Sequence, residues 1–531
     1  MSYAIDFGTS NTVITRWNAA TENGEIVKLS GISQPSPGVP PLIPSLVFAE
    51  NITLGNISIG QTVRDRGLDL AGDPRCFRNF KRGIGAPIQG FLPEIAGKSI
   101  TFEQVGDWFF GKMIDQLRQE AGTSPSSLVI TVPVDSFESY RHWLTQICQT
   151  WGIEQVQLLD EPTAAALGYQ STEDGTILVI DFGGGTVDFS LVELNLGSSD
   201  QPQGYVLKWG EKMLGDSTSQ KKKLARVIAK AGTNLGGSDI DNWLVDYFAD
   251  TQGLAKSPVT LRLAERLKIK LSNASEAKEV YFNDQTFESY ELSMGHAHFR
   301  TILEKHKFFQ KLEDLLVQVL QQGRRNGIEK NDIKTVLVVG GTSQIPAVRD
   351  WLLQHFDEKI MRCDRPFEAV ALGALELAQG YEINDFLYHS YGIRYWNRRN
   401  NCHSWHPIVR AGQPYPMARK VEFKFGASVE GQPQIELILG ELGAETTNTE
   451  VYFDGDRLIT RALGSGATTV QPLNDRDGAR TIAQLDPLGS PGRDRINAKF
   501  WVDGERFLRL EVEDLLTRET LLDNQIVAQL S

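Results

Sequence analysis

Ile177–Leu178–Val179–Ile180–Asp181–Phe182–Gly183–Gly184–Gly185–Thr186–Val187–Asp188–Phe189–Ser190 is the stretch on which the reading of this chain turns. It opens with an unbroken run of β-branched and apolar residues, the pattern of a buried strand. The run stops at Asp181 and three glycines, and alternation resumes through Val187, Phe189 and Leu191. That predicts a hairpin whose turn has almost no side chain. With no Cβ in the way and positive φ allowed, backbone N–H groups there can approach an anion closely. Asp181 and Asp188 add carboxylates of the kind that hold a hydrated Mg²⁺. The alternative for this segment alone is a glycine-rich β-turn that binds nothing.

A second stretch has the same layout. Tyr3–Ala4–Ile5 reads as a strand, Asp6–Phe7–Gly8–Thr9–Ser10–Asn11–Thr12 as a polar turn and Val13–Ile14–Thr15 as the returning strand. Two phosphate-type hairpins, with Asp6 and Asp181 175 residues apart, point to two related α/β halves facing one nucleotide.

Outward from these, strands alternate with helices. Pro/Gly/Ser-rich residues 31–45 predict a loop, followed by a strand at Leu46–Val47–Phe48. A helix is predicted over Phe102–Leu117, a strand over Leu128–Pro133, a helix over Phe137–Thr150 and a strand over Val156–Leu159. Asp160–Glu161–Pro162–Thr163–Ala164–Ala165–Ala166–Leu167–Gly168 opens a helix, because proline suits a first turn and small residues permit close packing. Residues 197–223 read as a polar insertion. Leu235–Gly236–Gly237–Ser238–Asp239–Ile240–Asp241 sits at a helix start, and Leu261–Ser272 and Phe299–Gly323 read as amphipathic helices. Thr335–Val339 then runs into Gly340–Gly341–Thr342–Ser343, a helix follows Pro346, and Ala369–Gln379 is a small-residue helix. Such alternation is an α/β signature. After Gly380 the pattern changes. Residues 381–389 read as a linker, and beyond them short alternating runs (Lys420–Phe425, Gln434–Leu439, Thr449–Phe453, Ile496–Val502, Phe507–Val512) predict an antiparallel β domain.

The bulk numbers agree with a multidomain globular chain: 531 residues, 41% hydrophobic and 23% charged, with a mean hydropathy of −0.26 and a pI near 5.3. A net charge of −13 argues against nucleic acid or an anionic membrane as partner. Lys221–Lys222–Lys223 is the local exception and reads as a solvated loop. Cys76, Cys148, Cys363 and Cys402 form no C-x-x-C pair, so neither zinc nor a disulfide framework is indicated, and reduced, cytoplasmic thiols fit best. No secretory signal is visible at Met1–Ser2–Tyr3–Ala4, and no run of some 18 apolar residues predicts membrane insertion.

Five of these motifs occur in the order seen in DnaK-type, 70-kDa heat-shock chaperones of the actin-like ATPase superfamily. They are Asp6–Asn11, Asp160–Leu167, Asp181–Thr186, Leu235–Asp241 and Val338–Ser343. The resemblance covers residues 1–380 well and 390–531 more loosely. It implies an α/β, two-lobed actin-like (ribonuclease H-like) ATPase domain over 1–380, a linker at 381–389 and an antiparallel β-sandwich over 390–531. The implied cofactors are ATP or ADP with Mg²⁺. Gly8, Thr9, Ser10 and Asn11 would grip phosphate from one side, and Gly183, Gly184, Gly185 and Thr186 from the other. Asp6, Asp181 and Asp188 would hold the metal through its water shell. Lys81, in Phe77–Arg82, would point at the phosphates and the attacking water, Glu161 would orient that water, and Thr186 would contact the γ-phosphate side. Gly236, Gly237, Glu265, Lys268, Ser272, Gly340, Gly341 and Gln344 match the nucleoside side. Outside the family frame, Lys81 is a surface lysine, Glu161 a helix N-terminal acid favoured by the dipole, and Glu265 with Lys268 an i, i+3 pair on one helix face.

The chain also departs from the family pattern. Gln344 stands where an arginine usually lies against the adenine, and losing a planar cation weakens stacking. Phe367, in Arg365–Pro366–Phe367–Glu368, stands where an acid is usual. Asp385–Phe386–Leu387–Tyr388–His389 is a shorter, partly aromatic linker, while Pro133 and Arg141 match residues that relay nucleotide state. Extended or unfolded polypeptides would be the clients, held in a β-sandwich groove, with a J-domain co-chaperone and a nucleotide exchange factor as helpers. The sequence ends at Ser531, which predicts a member without the helical lid and with fast peptide release. Two other classes stay open: a nucleotide-regulated scaffold with feeble hydrolysis, and a small-molecule kinase on the same core.

Overall fold

The structure, a computed structural model, describes residues 2–34, 40–86, 88–122, 125–133, 138–153, 155–169, 175–195, 207–209, 224–283, 287–377, 387, 390–397, 402–410, 413, 415–417, 419–442, 449–454, 457–462, 470–473, 480–503 and 506–530. The chain divides into two compact units. One comprises Met1–Ser136, His142–Ile383 and Glu450–Arg461; the other comprises Phe137–Arg141, Asn384–Thr449 and Ala462–Ser531. Of the expected linker only Leu387 is described, and of the insertion at 197–223 only Leu207–Trp209, so both readings lie largely outside the described residues. Lys221–Lys223 and the side chain of Arg141 lie outside them too.

The first unit contains the same strand arrangement twice. In the first sheet β1 (Ser2–Phe7) and β2 (Asn11–Asn18) form a hairpin, β3 (Asn23–Ile26) pairs antiparallel outside β2, and β4 (Ser127–Val132) and β5 (Gln155–Asp160) continue in parallel on the other side of β1. In the second sheet β6 (Gly175–Phe182) and β7 (Val187–Asn195) form the hairpin and β8 (Leu224–Thr233) pairs outside it. There β9 (Ile333–Val339) and β10 (Met361–Arg362) continue in parallel. The shared order is third, second, first, fourth, fifth; the first sheet also carries Leu207–Trp209 antiparallel beyond β5 and Ile43–Pro44 against β2. Parallel neighbours need a crossover, and each sheet has one between its fourth and fifth strands: helix Glu138–Thr150 in the first, helix Pro346–His355 in the second.

The opening stretch is apolar without interruption because both faces of β6 are covered. Leu178, Ile180 and Phe182 enter one buried cluster with Phe189, Val336 and Val338. Ile177 and Val179 enter another with Leu337, Val339 and, from the first sheet, Ala4, Val129 and Leu159. That second cluster also holds the two small-residue helices, Glu161–Gly168 and Ala369–Leu377. They cross at glycines: a Cβ on Gly168 would strike the Ala369 carbonyl, and one on Gly373 the Ala164 carbonyl. The alanine run therefore permits a crossing that larger side chains would block.

Helix boundaries follow local chemistry. Thr101 caps helix Phe102–Ala121 by accepting from the Gln104 N–H, the reciprocal Gln104 bond completes a capping box, and Gly122 at φ 67° ends it. One expectation is corrected. Phe299–Gly323 is two helices, His296–Lys305 and Phe308–Arg325, because Lys307 turns the chain through the left-handed region at φ 56°. Apolar periodicity survives such a break, since both halves face the same core.

Among the described residues of the second unit, the strands pair antiparallel; an isolated parallel bridge joins Ala427 to Pro491. Val421–Gly426, Asp494–Val502, Phe507–Asp514 and Thr520–Gln529 make one sheet, and Cys402–Val409, Ser390–Asn397, Leu439–Leu442 and Val470–Pro472 another. Alternate residues enter one shared core, with Leu508, Leu510 and Val512 fully buried from a single strand. No described helix is long and apolar enough to cross a membrane.

Candidate functional site

Each hairpin turn is built to be narrow. In the first, the Ser45 hydroxyl donates to the Gly8 carbonyl at 2.8 Å and the Ser45 N–H to the Ser10 carbonyl at 2.9 Å. In the second, the Gly183 N–H donates to the Thr186 carbonyl at 2.9 Å, closing the turn. The two turns then meet. A Cβ on Gly184 would fall on the Ser10 hydroxyl, and one on Gly185 would lie 2.8 Å from the Thr9 methyl and from Arg82 Nε. Only residues without a side chain allow this approach.

The other glycine turns close on the same place. The Gly237 and Ser238 N–H groups donate to the Gly183 and Gly184 carbonyls at 3.1 and 2.9 Å. The next backbone along packs so tightly that a Cβ on Gly236 would lie 2.5 Å from the Gly184 carbonyl carbon. The Thr342 hydroxyl donates to the Gly183 carbonyl at 2.9 Å, which ties the Gly340–Gly341 turn to the same hairpin. Gly340 has φ 81° and donates to the Pro366 carbonyl at 2.7 Å. The Phe367 ring lies against Gly341, 2.9 Å from where a Cβ would stand. Gln344 bonds its neighbour, the Ser343 hydroxyl, at 3.2 Å.

The charged residues come from strand ends and turns. Asp6 is the last residue but one of β1, and Asp181 and Asp188 face each other across the β6–β7 hairpin. Glu161 opens a helix immediately after β5, with Asp160 capping it through the Thr163 N–H at 2.8 Å. Lys81 lies on a single 3-10 turn, Phe80–Gly83, entered through Asn79 in the left-handed region. It donates to Glu161 at 2.8 Å; the side chains are 10% and 13% exposed. Its ammonium also stands 5.5 Å from the Phe7 ring centre.

These carboxylates crowd one another. Burial, then the charge of Glu161, raises Asp6 to about 6, against the pull of Lys81 and of the Thr131 hydroxyl. Burial raises Asp181 well above the carboxylate range, and Glu161, Asp188 and Asp6 add to it. A buried cluster of carboxylates relieves its mutual repulsion by taking up protons or by binding a cation. Glu161, Asp181 and Asp188 also line one small cavity. Among the described residues no three acidic, thiol or imidazole groups converge closely enough to hold a metal ion directly. Asn11 Oδ1 is buried among the turns with no described partner. The narrow glycine cradle, the anionic cluster and the orphaned oxygen together fit a hydrated Mg²⁺ with a polyphosphate.

A cleft lined by Ser10, Ser45, Arg64, Arg78, Asn79, Ser238, Asp241 and Glu265 opens beside the turns. Lys268 donates to the Gly237 carbonyl and to Asp241, both at 2.8 Å. Burial outweighs that lysine and holds Asp241 up near 6. Glu265 pairs with Arg64 at 2.8 Å. Burial there works upward, but Arg64, Arg262, Lys268 and Arg78 win and hold Glu265 down at about 2. Ser272 lies one turn on, at the helix end, bonded back to the Lys268 carbonyl at 3.4 Å.

Three side chains of this site escaped the sequence reading. Arg82 pairs with Asp239 at 2.5 Å and donates to the Gly185 carbonyl, so the turn that aims Lys81 at Glu161 sends its next residue to the opposite hairpin. Adjacency to Lys81 was the available signal. Thr131 donates to Asp6 at 2.8 Å from a strand that reads as uniformly buried. Arg64 meets Glu265 across 201 residues of chain, and no spacing rule announces such a pair.

Comparison with known proteins places the sequence in a family. The profile of the Hsp70 protein family matches residues 90–200 and 223–384, together more than half of the chain. The chaperone protein DnaK of Deinococcus proteolyticus is 31% identical over 317 residues, a stretch that is 55% of this chain and 44% of that relative. The chain thus matches less than half the length of that relative. With this match over more than half of its length, the chain belongs to the Hsp70 family.

Proposed function

We propose that this protein is an ATP-hydrolysing, DnaK-like chaperone whose first unit is a two-lobed actin-like ATPase and whose second binds extended polypeptide. Members of the Hsp70 family are ATPases that bind ATP or ADP with Mg²⁺. The observation that carries the reading is the approach of Gly184 to Ser10, with Lys81 and Glu161 paired beside Asp6 and Asp181. The duplicated five-strand order supports two lobes, one per sheet.

In this reading phosphoryl transfer to water is mostly positioning and electrostatics. Backbone N–H groups of the Gly8–Asn11 turn and of the second turn beyond Gly183, whose own N–H closes that turn on Thr186, would hold the phosphates, and Asp6, Asp181 and Asp188 would hold the metal through its water shell. When bound, Mg²⁺ neutralises phosphate charge. Lys81 directs its ammonium toward the phosphates and water, kept there by Glu161. The free lone pairs of Glu161 orient that water for attack. Thr186 lies at the γ-phosphate side. Glu265, Lys268, Ser272, Gly236, Gly237, Gly340, Gly341 and Gln344 form the nucleoside side.

The test is ATP turnover with and without extended apolar peptides and a J-domain protein. Stimulation by either supports a chaperone cycle. A second reading, a nucleotide-regulated scaffold with feeble hydrolysis, is favoured by Phe367 against Gly341 and by Gln344 in place of a cation. Tight ATP binding without stimulated turnover would select it. Phosphate transfer to an added metabolite would select a kinase and overturn both.

A further inference from the structure

Residues Glu450–Arg461 lie far along the sequence, inside the stretch read as the second domain, yet they count with the first unit. Two strands carry them, β11 (Thr449–Asp454) and β12 (Arg457–Ala462). β11 adds in parallel to the short strand Ile88–Gln89, with Glu450 opposite Ile88 and Val451 opposite Gln89. Strand addition supplies main-chain bonds, and side chains on one face must find pockets to fix it.

Phe453 finds one. Its ring is stacked on Phe102 at 4.7 Å and meets Phe77 edge-on at 5.6 Å, and it is 8% exposed. Phe77 and Phe102 are themselves fully buried. They also bracket the turn that carries Lys81 and Arg82: Phe77 lies just before it in sequence, and the Phe102 ring packs against Gly83 within it. On β12, Leu458 is 7% exposed and lines the same cleft as Ser10 and Glu265. Most of the remaining lining is polar, including Arg64, Arg78, Asn79 and Asp241. An aliphatic side chain in that company covers the cleft against water without offering a ligand any hydrogen bond.

We propose that this hairpin is a plug on the nucleotide cleft, seated by Phe453 and closed by Leu458, and that its seating sets how fast nucleotide enters and leaves. The inference rests on the reading of that cleft as the nucleotide site. Thr449 and Ala462, at the two ends of the hairpin, count with the second unit, so both connections of the plug run into the unit proposed to hold polypeptide.

The experiment uses the full chain and a fluorescent ADP analogue with Mg²⁺, following association and, after chase with unlabelled ADP, release. Leu458→Ser removes the closing side chain; Phe453→Ala unseats the hairpin. A plug slows both directions alike. Each variant should therefore speed association and release together, by about tenfold, while Kd stays within about threefold of the parent. Faster release alone, with Kd weakened in proportion, marks damage to the site rather than removal of a plug and overturns the proposal. Unchanged rates in both variants, with analogue bound normally, overturn the plug and leave the nucleotide site standing. Failure of the unaltered chain to bind the analogue overturns the nucleotide reading and the plug with it. Leu458→Ser touches only the cleft wall, so it decides the matter if Phe453→Ala proves poorly folded.

Discussion

Gly184→Ala tests the meeting of the two hairpins directly. An ideal Cβ at Gly184 lands on the Ser10 hydroxyl, 2.8 Å from Ser10 Cβ and 3.4 Å from its backbone nitrogen. The hydroxyl can rotate away, but the Ser10 Cβ cannot. Carbon atoms rest at about 3.5–4.0 Å, so the turns must part by roughly 1 Å. Overpacking of this order costs about 1–3 kcal/mol. Where phosphate binding needs both turns at their native separation, that cost appears as an ATP affinity weaker by roughly 5- to 150-fold. Calorimetric titration with Mg²⁺–ATP measures it, and thermal unfolding of the nucleotide-free protein shows whether the fold survives. Ser10→Gly removes the obstructing atoms and keeps the backbone N–H. The double variant Ser10→Gly/Gly184→Ala should therefore recover most of the affinity lost by Gly184→Ala. Wild-type affinity in Gly184→Ala, or no recovery in the double variant, would refute the two-sided clamp.

Three further outcomes are expected. Asp181→Asn replaces an acid whose ionisation is opposed by burial, Glu161, Asp188 and Asp6; ligand-free thermal stability should hold or rise while the Mg²⁺-dependent part of ATP affinity falls, and an unchanged Mg²⁺ dependence would count against the metal role. Lys81→Met should cut turnover by about 10²–10³ with nucleotide still bound. It strands Glu161, so Lys81→Met/Glu161→Gln should regain stability but not turnover, and turnover in that pair would exclude Lys81 from the chemistry. Glu265, held at about 2 against an ordinary value near 4.5, is a depressed acid. Its contribution is present above about pH 4.5 and is lost as pH falls toward 2. The shift is worth at most about 3 kcal/mol at neutral pH, an upper figure because the side chain is 23% exposed. The stability gap between wild type and Glu265→Gln should shrink on acidification through that window; a gap independent of pH would show that the Arg64 pair does not set it.

The sequence alone determined the elements whose causes are local. Ile177–Ile180 read as a buried strand, because no polar position breaks its run, and the structure covers both its faces. The glycines at Gly183–Gly185 predicted a turn, and the echo of this layout at Asp6–Asn11 announced a second half. Those signals depend on near neighbours in the chain, and so did the family resemblance. The break at Lys307 was not legible, because a left-handed residue between two helices on the same core leaves their periodicity intact.

Only the tertiary structure decided the partners. Alternation tells which face of a strand is buried but not what covers it. Thr131 therefore read as one more buried residue until Asp6 was placed 2.8 Å away. Arg64 had no mark to distinguish it from other surface arginines until Glu265 met it from the far side of the cleft. Thr449–Phe453 read rightly as a strand, but its sequence could not name the edge it would join. That choice was made by an open strand at Ile88–Gln89 and by two buried rings, Phe77 and Phe102, waiting for a third. Short-range chemistry fixes backbone shape residue by residue. Contacts between residues hundreds of positions apart exist only once the whole unit has packed, and the proposed plug on the cleft is made of such contacts.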